Sequence, residues 1–346
     1  MPGERRIVYV LGAGASLGAG AYVSKQGGGR VPILTQATFW DTFLRFCRTK
    51  SNRKTIEGFL FRYFLDYKKV PGRTNETARR QLLVKVDVEE VFTFLSERNY
   101  APSVSPQLKT YTSQVWSALL EEVGHVFGRF SANKQTKKVY HTFRRRHLRK
   151  RDTVVSFNYD VIFEQSLPTT VRWYYEGVHN DHAPQALRIL KPHGSINWEE
   201  IDGTVVAGNV RREFPTHPVV VAPTHLKFVG TGSRQDGGAP IFGYLNQSPQ
   251  IAEVWTAMER EMREAKAWVF IGYSFPSSDL YFSSVLRSTL AARDSNPDII
   301  LVNPDAMGIS QRIGNRFYVP QSNIRTFPDL VTFNQLDRGG MLSLFD

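Results

Sequence analysis

The sequence holds a single cysteine, Cys47, in 346 residues. One thiol excludes an internal disulfide and a cysteine-built zinc cage of paired C-x-x-C motifs, and it fits a reducing, cytoplasmic setting. Long hydrophobic runs are missing too. The N-terminal stretch MPGERRIVYVLGAG carries charge followed by a short apolar segment, and no run approaches the length that spans a bilayer. The expectation is a soluble, unprocessed chain with no membrane role. No internal repeat is present. The densest basic run, HTFRRRHLRKR from His141 to Arg151, has no aromatic residue interleaved with its cations from Arg144 onward. Without rings to stack on bases it reads first as the solvated last turn of a helix, where cations complement the dipole. Its second reading is a patch for nucleic acid or an acidic partner.

Hydrophobic residues make up 41% of the chain, enough for a substantial core in one large α/β domain or two ordinary ones. The formal net charge of +12 favours approach to a polyanion and does not choose between a dinucleotide and a nucleic acid. RIVYVLGAG reads as a buried parallel strand ending in a tight turn. Residues 36–150 then change character. QATFWDTFLRFCRTK, TIEGFLFRYFLDYKK, DVEEVFTFLSER and TSQVWSALLEEVGHVFGRF repeat apolar residues every three or four positions, so this block reads as a mainly helical insertion. From Asp152 strands return in DTVVSFNYD, TVRWYYEG, LRILKPHGSINW, PVVVAPT, AKAWVFIGYSF and DIILVNPDA, with helical stretches between them. The alternation predicts an α/β, Rossmann-like, doubly wound parallel sheet whose ligand crevice lies beyond the carboxyl ends of its strands. Residues 227–249 read as a long loop, either a lid over that crevice or a plain surface loop. The tail after about Gly314 has no assignable pattern.

Polar residues gather where these strands end. Gly12, Ala13, Gly14 and Ser16 follow the first strand, where small residues let the backbone approach a diphosphate. Tight strand-to-helix packing also selects small residues, so the turn alone is not specific. A dehydrogenase fingerprint would continue to an acidic ribose ligand about 20 residues on. The chain runs instead into SKQGGGRVPILTQ, with no strand ending in Asp or Glu, and hydride transfer is disfavoured. Asn158 and Asp160 end a Val-Val-Ser-Phe strand, and turn capping would account for them if they stood alone. They share the edge with His193, a side chain suited to proton transfer near neutral pH, and with Gly272, Ser274 and Asn303 at two further strand ends.

As a set, GAGAS (12–16), DVEEVFTFL (87–95), SFNYD (156–160), KPHGS (191–195), VVAPTHLK (220–227), GYSFPSSD (272–279) and VNPD (302–305) resemble the Sir2 superfamily. Within it they are most similar to the bacterial SIR2-like branch of anti-phage defence systems. The resemblance covers most of the chain and implies one SIR2-like NAD-binding domain over residues 1–346. It implies Asn158 and His193 as catalytic residues in cleavage of the nicotinamide–ribose bond of NAD+, here a substrate, and Asp160 as the contact to the nicotinamide amide. Gly12 to Ser16, including Ala13 and Gly14, take the place of the phosphate-binding turn, and Gly272, Ser274 and Asn303 that of the adenosine-ribose contacts. Sirtuin deacylases carry a four-cysteine zinc module that a chain with one cysteine lacks, so deacylation is disfavoured, hydrolysis remains open and no metal is expected. The branch further implies a homo-oligomer and a separately encoded partner such as a HerA-like ATPase or an Argonaute, with any nucleic-acid contact indirect. Two other readings stay open: a non-catalytic sensor of NAD+ or ADP-ribose, and a nucleic-acid-directed effector.

Overall fold

Ile7, Val8, Tyr9, Val10 and Leu11 are all buried, and an apolar run with no exposed face belongs in the middle of a parallel sheet. In the computed structural model this segment, β1 (Ile7–Leu11), is the central strand of seven, in the order β11-β10-β9-β1-β4-β6-β5. The structure describes residues 6–24, 29–35, 38–65, 81–100, 104–178, 186–211, 214–215, 218–221, 249–276 and 279–345. The other strands are β4 (Thr153–Ser156), β5 (Trp173–Tyr175), β6 (Leu187–Leu190), β9 (Ala267–Ile271), β10 (Asp298–Val302) and β11 (Ile324–Phe327). All pair in parallel. Helices between them include α1 (Ala13–Gly18), α7 (Ile162–Ser166), α8 (Pro249–Glu264), α9 (Leu280–Ala291) and α10 (Ala306–Phe317). The fold is therefore the α/β, Rossmann-like parallel sheet that the strand pattern predicts.

From β1 the chain builds β4, β6 and β5 on one side and then β9, β10 and β11 on the other. The order reverses at β1, which is where open α/β sheets leave a crevice. Register makes that edge level. Leu11 pairs with Ser156 and with Ile271, and Ile271 pairs with Val302. The next residue of each strand, Gly12, Phe157, Gly272 and Asn303, therefore stands on one line.

Between β1 and β4 lie a ribbon of β2 (Tyr22–Ser24) and β3 (Arg30–Pro32), then α2 (Phe39–Phe46), α3 (Lys50–Tyr63), α4 (Val88–Tyr100), α5 (Pro106–Gly128) and α6 (Lys134–Arg146). Aromatic rings fill the space between these helices: Trp40 stacks on Phe92 at 6.4 Å, and Phe92 meets Trp116 edge-on at 5.8 Å. Phe127 of α5 meets Tyr159 edge-on at 5.5 Å and so joins the helical block to the sheet edge. Asn133 caps α6 by accepting from the Thr136 N–H, and its amide donates to the Gly20 carbonyl.

Three departures from the sequence expectations have local causes. The tail beyond Gly314 is structured: β11 extends the sheet, followed by α11 (Leu330–Phe333) and α12 (Arg338–Leu342). Only Ile324 of β11 is buried, so this edge strand carries no apolar run. A hairpin of β7 (Trp198–Ile201) and β8 (Thr204–Ala207) follows the KPHGS segment, turning through Asp202 and Gly203 at φ of 50° and 75°. PVVVAPT forms only an isolated bridge, Gly194 to Val220, within the described residues. The 227–249 segment lies outside them apart from Pro249, which begins α8.

Candidate active site

A cavity of about 530 Å³ opens beyond the carboxyl ends of β1, β4, β9 and β10. Gly12, Ala13, Gly14, Asn158, Asp160, His193, Gly272, Ser274 and Asn303 line it, so the strand-end residues converge. Ser16 lies just beneath. It is 1% exposed, its hydroxyl donates to Asp160 Oδ1 at 3.3 Å, and it accepts from the Asn158 amide at 3.4 Å.

The glycine turn is shaped by the loop opposite. Gly272 has φ +62°, and a Cβ on it would lie 1.9 Å from the Ala15 nitrogen. A Cβ on Gly12 or Gly14 would lie 2.7 or 2.8 Å from the Gly272 carbonyl oxygen. The Gly12 and Gly14 N–H groups donate to the Ile271 and Gly272 carbonyls, both at 3.0 Å. Glycine at these three positions is thus required by chain-on-chain packing, whatever the cavity holds. The exposed Ala13 N–H has no partner among the described residues and remains available to a ligand.

Asn158 is 8% exposed, and its amide nitrogen donates to the Gly12 carbonyl at 3.1 Å as well as to Ser16. Its Oδ1 makes no hydrogen bond to a described residue and is the acceptor left on a side chain that lines the cavity. Asp160 accepts the Ile162 N–H at 3.0 Å and so fixes the start of α7. Burial pushes its carboxyl up to about 6, opposed by the nearby Lys191 ammonium. Lys191 is fully buried, donating to the Asp160 carbonyl at 2.7 Å and to Glu164 at 3.2 Å. That pair anchors the strand end from which His193 projects.

His193 is 7% exposed, with its ring 4.9 Å from Phe157 and 6.0 Å from Trp255. Its carbonyl accepts from the Val221 N–H, and the Ser195 N–H donates to Val219. Gly194, at φ +75°, lets that segment cross, since a Cβ there would lie 2.2 Å from the Val219 oxygen. Ser274 is exposed, and its carbonyl accepts from Arg312 at 3.4 Å. Asn303 accepts the Asp305 N–H through Oδ1 at 2.9 Å, and its amide nitrogen makes no hydrogen bond to a described residue.

Sequence reasoning gave no role to Glu89 on α4, to Tyr159 and Tyr273, or to Asp279 and Asp329, all of which line the cavity. Tyr273 donates to Asp279 at 2.5 Å, and burial raises both tyrosine hydroxyls well above their ordinary value, Glu89 adding to the rise at Tyr159 and Asp279 to that at Tyr273. These residues arrive from distant parts of the chain; Glu89, Tyr159, Tyr273 and Asp279 fall within the resembling segments DVEEVFTFL, SFNYD and GYSFPSSD, and Asp329 lies outside all of them. The described lining holds four carboxylates, Glu89, Asp160, Asp279 and Asp329, and no Lys or Arg. Such a wall favours a group that carries or develops positive charge. Among the described residues no cluster of His, Cys, Asp and Glu could hold a metal ion, and no helix is long and apolar enough to cross a membrane.

No family model and no curated protein matches the chain. Among solved structures, a Sir2 homologue in complex with NAD is similar over 98% of this chain and 90% of its own, at 14% identity and a TM-score of 0.40. Two mutants of a Sir2 homologue in complex with ADP-ribose are similar over 87% of this chain and 80% of their own. Their identities are 13% and 14%, with TM-scores of 0.31 and 0.30. All three scores lie below 0.5, so the likeness is one of general shape and carries no argument about what this chain binds.

Proposed function

We propose that the chain is a SIR2-like NAD+ glycohydrolase that splits the nicotinamide–ribose bond to give nicotinamide and ADP-ribose. The observation that supports this reading is the convergence of Asn158 and His193 on one cavity with the ends of β1, β9 and β10. In the reaction NAD+ and water give nicotinamide, ADP-ribose and one proton. Nicotinamide departs as a neutral group, leaving positive charge on the ribose, so positioning and charge stabilisation outweigh nucleophile strength. The Asn158 Oδ1 accepts from a ribose hydroxyl or from the attacking water, since its amide nitrogen is committed to Gly12 and Ser16. His193 takes the proton from that water or hydroxyl. The carboxylates of the lining favour first the cationic nicotinamide ring and then the charged ribose.

In the cell this activity would deplete NAD+ as the effector of an anti-phage, abortive-infection system, with a homo-oligomer and a partner such as a HerA-like ATPase or an Argonaute setting when it acts. The test is nicotinamide release by purified protein, alone and with candidate partners. Asn158→Ala and His193→Ala are each expected to lower turnover about a hundredfold or more. Unchanged turnover in both variants would sink the assignment. A second reading, a non-catalytic sensor of NAD+ or ADP-ribose, draws on the engagement of the Asn158 amide within the protein. Tight NAD+ binding with no turnover under any activating condition would select it.

A further inference from the structure

At the opposite edge of the sheet lies a second concavity of about 520 Å³, lined by Arg144, Arg145, Arg149, Lys150 and Arg172, with no carboxylate among the described lining residues. The first four belong to the last turn of α6 and the turn after it, and Arg172 directly precedes β5. Leu148, Val171 and Leu187 supply apolar wall. We propose that this cleft binds a short run of linked phosphates, a di- or triphosphate group.

A helix end explains only part of the charge. The C-terminal dipole amounts to about half a negative charge, which a single cation offsets, whereas five cations line this cleft. Several arginines elsewhere are paired: Arg188 with Glu261 and Glu176, Arg45 with Asp41, Arg338 with Asp152. Arg144, Arg145 and Arg172 make no side-chain hydrogen bond or ion pair with any described residue. The nearest carboxylate along the chain, Asp152, is buried and turned to Arg338 and to the Ile7 and Arg149 N–H groups. Guanidinium groups brought together from the end of α6 and from the start of β5 suit the oxygens of neighbouring phosphates, and a concave surface focuses their potential. No ring stands among the described lining residues, which argues against base stacking as the mode of recognition. The volume fits a triphosphate and does not fit a duplex. Lying at the amino ends of β4, β5 and β6, the site is separate from the NAD+ cavity and does not compete with it.

The test is calorimetric titration of the full chain with inorganic tripolyphosphate, with ATP and with a single-stranded oligonucleotide. Tripolyphosphate is expected to bind at one site per chain, and Arg144→Gln with Arg172→Gln to weaken it about tenfold or more. Lys137→Gln with Lys138→Gln removes the same charge from exposed positions of α6 outside the cleft and is expected to change it less than about twofold. Equal affinity for tripolyphosphate and ATP assigns the site to phosphate alone, and tighter ATP binding assigns it to nucleoside triphosphates. Should the double arginine variant lose its cooperative unfolding transition, Arg145→Gln at an exposed position gives the same comparison. The proposal is overturned by no tripolyphosphate binding to the folded wild type or by equal weakening in both variant pairs. Oligonucleotide binding that tripolyphosphate does not displace overturns it in favour of a nucleic-acid surface.

Discussion

Gly272 is fixed by two constraints at once, a left-handed backbone and a neighbour too close for any side chain. Gly272→Ala must either open the contact with Ala15 and Gly14 or strain its own φ, and adding the two costs gives about 3 kcal/mol or more. Gly18 ends α1 with nothing within 4 Å of where a Cβ would stand, so Gly18→Ala is expected to be neutral or stabilising by up to about 1 kcal/mol. Urea unfolding of both variants checks the contrast, and equal midpoints would show that the two turns do not interlock. The glycines of the turn answer to packing, and the groups left free beside them are the Ala13 N–H and the Asn158 Oδ1, on which the proposed ligand contact rests.

At the scale of elements, the end of α6 has a buried side as well as a basic one. His147 is fully buried, stacked on Phe333 of α11 at 4.3 Å, and neither ring nitrogen makes a hydrogen bond of good geometry. Burial, with Arg146, Arg149 and Arg338 nearby, pushes its imidazole down to about 4. The folded state therefore resists protonation more than the unfolded one. The stability that neutral His147 carries is complete above about pH 6.5 and is lost as pH falls toward 4, by up to about 3 kcal/mol. Asp160 acts in the opposite sense, because its raised pKa favours the folded state as pH falls through about 6. Chemical denaturation of wild type and His147→Leu between pH 7 and 4.5 separates the two. The wild type is expected to lose more stability over that range than the variant, and parallel curves would remove His147 from the account.

How far such elements can be read from sequence depends on how each is buried. β1, β4, β9 and β10 are legible because both faces are covered and the sequence is continuously apolar. β11 buries one residue of four and leaves no such trace. The β7–β8 hairpin carries a short turn signal, Asp202-Gly203, beside the more conspicuous KPHGS. At the candidate site the strand-end residues are legible because register sets them level. Glu89 and Asp279 stand in resembling segments without a sign that they reach the cavity, and Asp329 carries no signal at all, since all three arrive through tertiary packing.

For the whole molecule, the two sheet edges differ in charge: carboxylates line the cavity at one, arginines the cleft at the other. The basic edge also holds the joint that closes the fold. Arg338 of α12 pairs with buried Asp152, which in turn accepts the Ile7 N–H at the start of β1. Arg338→Ala leaves that carboxylate buried without its cation and is expected to cost about 3 to 5 kcal/mol. Thermal unfolding measures the loss, and Asp152→Asn in the same chain is expected to restore part of it. An Arg338→Ala variant as stable as wild type would show that the C-terminal elements hold by apolar contact alone.

The central place of β1 has a further consequence, for synthesis. Val8 pairs with Thr153 and Ile7 with Ala267, so the first strand of the sheet to be made is among the last to be enclosed. At ribosomal rates its second neighbour emerges on the order of tens of seconds after it. For the first part of that interval five consecutive apolar residues lack both partners, and for the rest they lack β9, which makes nascent β1 a natural client for a chaperone and the helical insertion the first region able to fold.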